Sequence, residues 1–259
     1  MDTAQHQAEI LDQFTRQAEP FLRRHGSGKD ALLELMFDCA SPRPADSILD
    51  VACGPGIISC FFARRVGHVT GIDAVPATLE RAAHLQAERG LHNINWKLGQ
   101  STALPFPDGS FDCVVTRFSF HHYLDPQLAL REMKRVCRPG GTVLVADVIP
   151  SAEAQNQFNY WEILRDPSHT HALTLAEFLS MGQATGLELH RREDFSLAMD
   201  LEDLLKGSFP KPGDADRIRA LFEDDIRTGH DELGVAARRE DNRIKLTYPV
   251  AVFAWRMPK

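Results

Sequence analysis

Ile48-Leu49-Asp50-Val51-Ala52-Cys53-Gly54-Pro55-Gly56 is the stretch whose reading decides the fold. Four residues of mostly apolar character make a short strand, and two glycines flanking a proline turn the chain sharply into an apolar run that reads as a helix over 57–66. Working outward, the alternation repeats. Strands are expected over 68–73, 93–98, 112–117 and 142–149, and helices over 76–90 and 127–137. Strands alternating with helices of this length predict a parallel sheet covered on both faces. Two later strands, over 186–197 and 246–255, bring the count to seven.

The expected architecture is therefore α/β, a Rossmann-like, seven-stranded, mostly parallel sheet with helices on both faces. Residues 1–44 read as a helical cover, interrupted at Gly26 and Gly28 and stopped at Ser41-Pro42-Arg43-Pro44. Residues 45–150 form the ligand-binding core. Residues 151–259 complete the sheet, with a helix over 173–185 and helical insertions over 151–170 and the charged stretch 200–240 that could cover a substrate site.

The chain has 259 residues, 43% hydrophobic and 25% charged, which suits a folded chain able to bury a core without disulfides. Its net charge of -7 argues against nucleic acid, whose binders draw affinity from basic surfaces. Five cysteines without CxxC spacing read as buried thiols of a reducing compartment, and no metal is expected. No apolar run reaches bilayer length and no basic, apolar leader is visible, so the expected location is cytoplasmic.

Ligands of open parallel sheets bind beyond the carboxyl ends of the strands, so chemistry is sought there. The Gly54–Gly56 loop lets the backbone approach a ligand. Asp73, at the next strand end, can accept hydrogen bonds from both hydroxyls of a ribose. A dinucleotide fingerprint would need a third glycine where Ser59 stands. Asp50 would also repel a pyrophosphate, whereas it suits a ligand carrying an amino group.

Five motifs in register resemble those of class I S-adenosylmethionine-dependent methyltransferases, closest to the ubiquinone/menaquinone-biosynthesis type and related small-molecule enzymes. They are Ile48–Gly56, Gly71-Ile72-Asp73, Leu104–Asp112, Arg117–Asp125 and Arg138-Pro139-Gly140-Gly141. The resemblance implies S-adenosylmethionine as methyl donor and S-adenosylhomocysteine as product. It places Asp50, Ala52, Gly54 and Gly56 on the methionine part, Asp73 on the ribose, and Ala74 and Val75 against the adenine. Ala52 stands where the family commonly has glycine. Gly99-Gln100-Ser101-Thr102 replaces the frequent Gly-Asp-Ala, so adenine contacts are expected from Gln100, Ser101 or Thr102.

His121 and His122 follow the fourth strand, beside the expected methyl position, and either could take a proton from an acceptor. The family commonly has one histidine, at the position of His122, which makes His121 the better base. Arg117 is expected beside the cofactor. Phe14 and Phe21 could close the first helix over the site, and Tyr160, Arg165, His169 and Phe209 are further candidates for acceptor contacts. The function these features imply is methyl transfer to an O, N or activated C atom of a small-molecule metabolite by in-line displacement. A protein or RNA methyltransferase and a non-catalytic cofactor-binding protein are the alternatives. No Asn-Pro-Pro-Tyr motif ends the fourth strand, where Thr116-Arg117-Phe118-Ser119 stands.

Overall fold

The computed structural model describes residues 3–25 and 31–258, with backbone alone for 21–25. The expected break at Gly26 and Gly28 and the side chain of Phe21 lie outside the described residues. The chain order begins with α1 (Thr3–His25), α2 (Ala31–Ala40), β1 (Ser47–Val51), α3 (Ile57–Phe62), β2 (His68–Asp73), α4 (Pro76–Glu88), β3 (Ile94–Leu98) and β4 (Phe111–Arg117). A 3-10 turn (Phe120–His122), α5 (Pro126–Val136), β5 (Cys137–Val148), α6 (Gln155–Arg165) and α7 (Leu175–Thr185) follow. β6 (Glu188–Asp200), α8 (Leu201–Lys206), α9 (Asp214–Thr228), β7 (Arg238–Glu240) and β8 (Arg243–Arg256) complete it.

The sheet runs β3-β2-β1-β4-β5-β8-β6. β1 to β5 pair in parallel, while β8 is antiparallel to both β5 and β6. From β1 the chain steps one way to β2 and β3, then returns to the other side for β4 and β5. That reversal opens a crevice at the carboxyl ends of β1 and β4. β1 is buried along nearly its whole length, as a central strand with helices on both faces must be. One hydrophobic layer lies under α2, α3, α4, α6, α8 and α9, and the other under α5 and α7.

An eighth strand departs from expectation. β7 pairs with β8 as a hairpin, Arg238 opposite Lys245 and Glu240 opposite Arg243. Its turn residues, Asp241 and Asn242, both take positive φ, the geometry two-residue hairpins favour. The stretch 200–240 is thus helical only over α8 and α9. Exposed arginines and a glutamate on both sides hid the strand alternation. The fifth strand begins earlier than expected because Cys137 already pairs with Phe111 before the Arg138–Gly141 segment bulges out of register.

Candidate active site

At the end of β1 the chain turns through two left-handed residues, Ala52 at φ 53 and Gly54 at φ 52. An alanine held there costs about 1–2 kcal/mol, so Ala52 is a strained substitute for the glycine. A Cβ on Gly54 would find no atom within 4 Å, so this side of the loop is open to a ligand. Gly56 serves differently. A Cβ there would lie 2.6 Å from the Trp96 ring and 2.9 Å from Ala82 Cβ, so its lack of a side chain lets α3 and α4 pack.

Asp50 is fully buried, with Oδ2 accepting from Ser59 N at 3.0 Å and Ser59 Oγ at 2.6 Å. Its Oδ1 is buried and has no hydrogen-bond partner. Burial pushes the carboxyl up to about 7, against the pull of the Ser59 bonds and the Arg117 charge. Asp73 accepts from Gly54 N at 2.8 Å through Oδ2, and from Val75 N at 2.9 Å and Thr78 Oγ1 at 3.1 Å through Oδ1. Asp73, the acid expected on the ribose, thus ties the glycine loop to β2. Burial raises its pKa, tempered by those N–H donors.

A cavity opens where this loop meets the end of β4. Ala52, Cys53, Gly54, Pro55, Ile57 and Arg117 border one end. Phe14, His121, His122, Arg165, Met199 and Tyr248 border the other. α1 crosses above it. Gln17 donates to Asp166 Oδ2 at 2.8 Å, His6 Nε2 to the His122 carbonyl at 2.8 Å, and the Phe14 ring meets the His122 ring edge-on at 4.9 Å.

The β4 end turns through Phe118, held at φ 54, into the 3-10 turn that carries both histidines. Asp147, near the end of β5, governs this turn. Its Oδ2 accepts from Ser119 N at 3.2 Å and Phe120 N at 2.8 Å, and its Oδ1 from His121 Nδ1 at 2.5 Å. Burial disfavours the His121 imidazolium, but the Asp147 carboxylate outweighs it and the net shift is upward. His122 donates from Nδ1 to the Ser168 carbonyl at 3.0 Å, and burial together with the His121 charge holds it well below the ordinary range.

The expected acceptor contacts divide. Phe14 and Arg165 line the cavity, where Glu162 holds the Arg165 guanidinium at 2.6 Å and Tyr248 donates to Glu162 at 2.5 Å. Tyr160 does not line it: the side chain is exposed on the outer face of α6 and its hydroxyl accepts from Arg217. His169 is buried behind the wall, donating to Asn159 Oδ1 at 2.7 Å. Phe209 lies beneath the Arg16 guanidinium, 4.4 Å from its ring centre. Gln100, Ser101 and Thr102 form a turn beyond β3, outside the cavity but one strand end from Asp73. Ala74 is exposed and Val75 buried at the start of α4. Asp147, Gln17, Glu162 and Asp166 escaped the sequence reading.

All five cysteines are free and buried. Among the described residues, no group of three or more His, Cys, Asp or Glu could hold a metal ion, and no helix is long and apolar enough to cross a membrane.

The family described as a methyltransferase domain matches residues 49–145. YcgJ of Bacillus subtilis (strain 168), an uncharacterised methyltransferase, is 30% identical over 212 residues, which are 81% of this chain and 82% of that protein. The crystal structure of YcgJ superposes with a TM-score of 0.81 at 25% identity, covering 88% of this chain and 98% of the other. The ubiquinone/menaquinone biosynthesis C-methyltransferase UbiE of Ruegeria sp. (strain TM1040) is 38% identical over 126 residues, and the match spans 49% of its length and 48% of this chain. A geranyl diphosphate methyltransferase solved with S-adenosylmethionine shares the fold, at a TM-score of 0.62 and 17% identity over 87% of this chain and 84% of that one. The orphaned Asp50 oxygen and the open face of Gly54 fit such a cofactor. The chain belongs to the class I S-adenosylmethionine-dependent methyltransferases and is an enzyme of that family.

Proposed function

We infer that the enzyme methylates a small-molecule metabolite at an ionisable O, N or activated C atom. The observation that carries this reading is the cover over the cavity. α1 is latched across it by Gln17 and His6, and α6, α8 and β8 wall its far end, a cover that favours a small acceptor over a polypeptide or a duplex. In this division of labour residues 45–150 hold the cofactor, while 1–44 and 151–259 shape the acceptor's surroundings.

S-adenosylmethionine supplies a methyl group activated by its sulfonium, which an in-line displacement transfers with the bond pair left on sulfur. Asp50 and Arg117 would receive the ammonium and carboxylate of the methionine part, with the Ala52 and Gly54 backbone alongside. Asp73 would hold the ribose, and the Gln100–Thr102 turn would border the adenine. Phe14, Leu197, Met199 and Leu204 give the acceptor apolar walls. Alignment of the acceptor accounts for most of the rate, on the order of 7–11 kcal/mol, and His121 serves as the base.

Transfer from methyl-labelled S-adenosylmethionine into a fractionated cell extract tests the reading. Label is expected in the small-molecule fraction, where its mass shift begins to identify the acceptor. Label confined to protein or RNA overturns it.

A further inference from the structure

The environment of His121 is more specific than a base alone requires. The carboxylate of Asp147, 1% exposed, receives four donors: Ser119 N, Phe120 N, its neighbour Val148 N at 2.7 Å, and the His121 ring. One side chain thereby fixes both the backbone of the turn and the orientation of the imidazole it carries. The backbone that delivers the ring is itself strained, since Phe118 is left-handed and is held by its N–H to the Ala146 carbonyl at 2.9 Å. Thr170 secures the far side, donating from its backbone N–H and its hydroxyl to the His121 carbonyl at 2.8 and 2.9 Å.

We propose that Asp147 is a positioning residue that keeps the His121 proton on Nδ1, so that a bare Nε2 receives the proton of the acceptor during methyl transfer. The inference rests on the small-molecule reading above and specifies its acceptor: a hydroxyl, N–H or acidic C–H that must lose its proton as the methyl arrives. The balance is simple. A lone pair of the hydroxyl or N–H acceptor, or the pair released from an acidic C–H bond, forms the new bond to carbon, and for O and N acceptors the pair of the broken bond to hydrogen stays on the acceptor atom. The carbon–sulfur bond breaks towards sulfur, giving the neutral thioether, and the proton goes to Nε2. Asp147 stabilises the imidazolium until product release returns the proton to water.

The groups facing His121 agree with this assignment. Asp147 approaches from β5, Glu162 and Arg165 from α6, His169 from the loop after α6, and His122 from the same turn. The ring centres of His122 and His169 lie 4.3 and 5.4 Å from that of His121. Burial keeps both neutral, His169 because it is enclosed and flanked by His121. One imidazole of the three is thus equipped to carry the charge.

The tautomer can be read without knowing the acceptor. In long-range proton–nitrogen spectra of the nitrogen-labelled full chain, recorded on the alkaline side of the His121 titration where the ring is neutral and with His121 assigned by the loss of its signals in His121→Asn, the ring is expected as the Nδ1–H form. Asp147→Asn is expected to move the proton to Nε2, because its amide must still accept from Ser119 and Phe120 and so turns its NH₂ to the ring. Transfer by this variant should fall about 10²–10⁴-fold, with cofactor affinity retained. An Nε2–H ring in the unaltered protein overturns the proposal even if Asp147→Asn does not fold. So does an unchanged tautomer in the variant, or full transfer with a flipped one. Absence of label in small molecules with the unaltered protein defeats the functional reading instead, and leaves the tautomer measurement standing.

Discussion

Asp50 shows how much a single buried carboxyl can carry. Its ordinary pKa lies near 3.8, and burial in this fold lifts it to about 7. An unfolded chain ionises this group first as pH rises. Its contribution to stability is therefore fully present below about 4 and is lost as pH climbs to about 7. Asp50→Asn removes that loss, so the variant is expected to gain stability relative to the natural chain between acid and neutral pH. The proposed placement of the cofactor's ammonium beside Asp50 would favour the carboxylate, so binding near pH 6 should release a proton. Calorimetric titrations in two buffers of different ionisation enthalpy measure that proton directly, and a binding enthalpy indifferent to buffer would contradict the placement. Asp50 and Asp73 were legible in the sequence because strand ends expose them to a simple positional rule. Asp147 was not, because the expected strand ran past it to residue 149 and made it look like one polar position in an apolar strand. The clamp it forms depends on the backbone of a turn 27 and 28 residues earlier in the chain, which no local pattern encodes.

At the scale of elements, the glycine loop divides its labour. Gly54 leaves space for a ligand, while Gly56 leaves space for the neighbouring helix. Gly56→Ala should therefore act on stability rather than on the cofactor. At φ 78, with Trp96 and Ala82 in the way, the expected cost is about 2–4 kcal/mol, read by chemical denaturation. A change near zero would mean that α3 and α4 can separate freely. β1 to β5 and α3 to α5 were legible because apolar periodicity and Gly-Pro punctuation agree there. α1 was read as a helical cover, but the bonds that latch it were not legible, since Gln17 and His6 bond to residues 166 and 122, far along the chain. Tyr160 and Arg165 fall on one short helix, and periodicity alone could not say which would face inward. The fold turns Arg165 to the cavity and Tyr160 to Arg217.

Over the whole molecule, the reversal of strand order between β1 and β4 creates the crevice, and the additions at either end of the chain enclose it. The carboxyl-terminal third supplies Met199, Leu204 and Tyr248 to the cavity and Trp255 to the core. Its part in completing the sheet and covering a site was expected, but not which residues would line the cavity, because the wall is built from apolar residues that any core might use. In the proposed function the core strand ends recognise the donor, and the more individual covering segments surround the acceptor. This arrangement hinges on where the donor sits, and calorimetric titration of S-adenosylmethionine into the natural chain and Asp73→Ala tests it most directly. The natural chain is expected to bind one equivalent, and the variant at least about tenfold more weakly, since a hydrogen bond to a charged group contributes about 1.5–3 kcal/mol. Equal affinity in the two proteins would contradict the placement of the cofactor across the ends of β1 and β2.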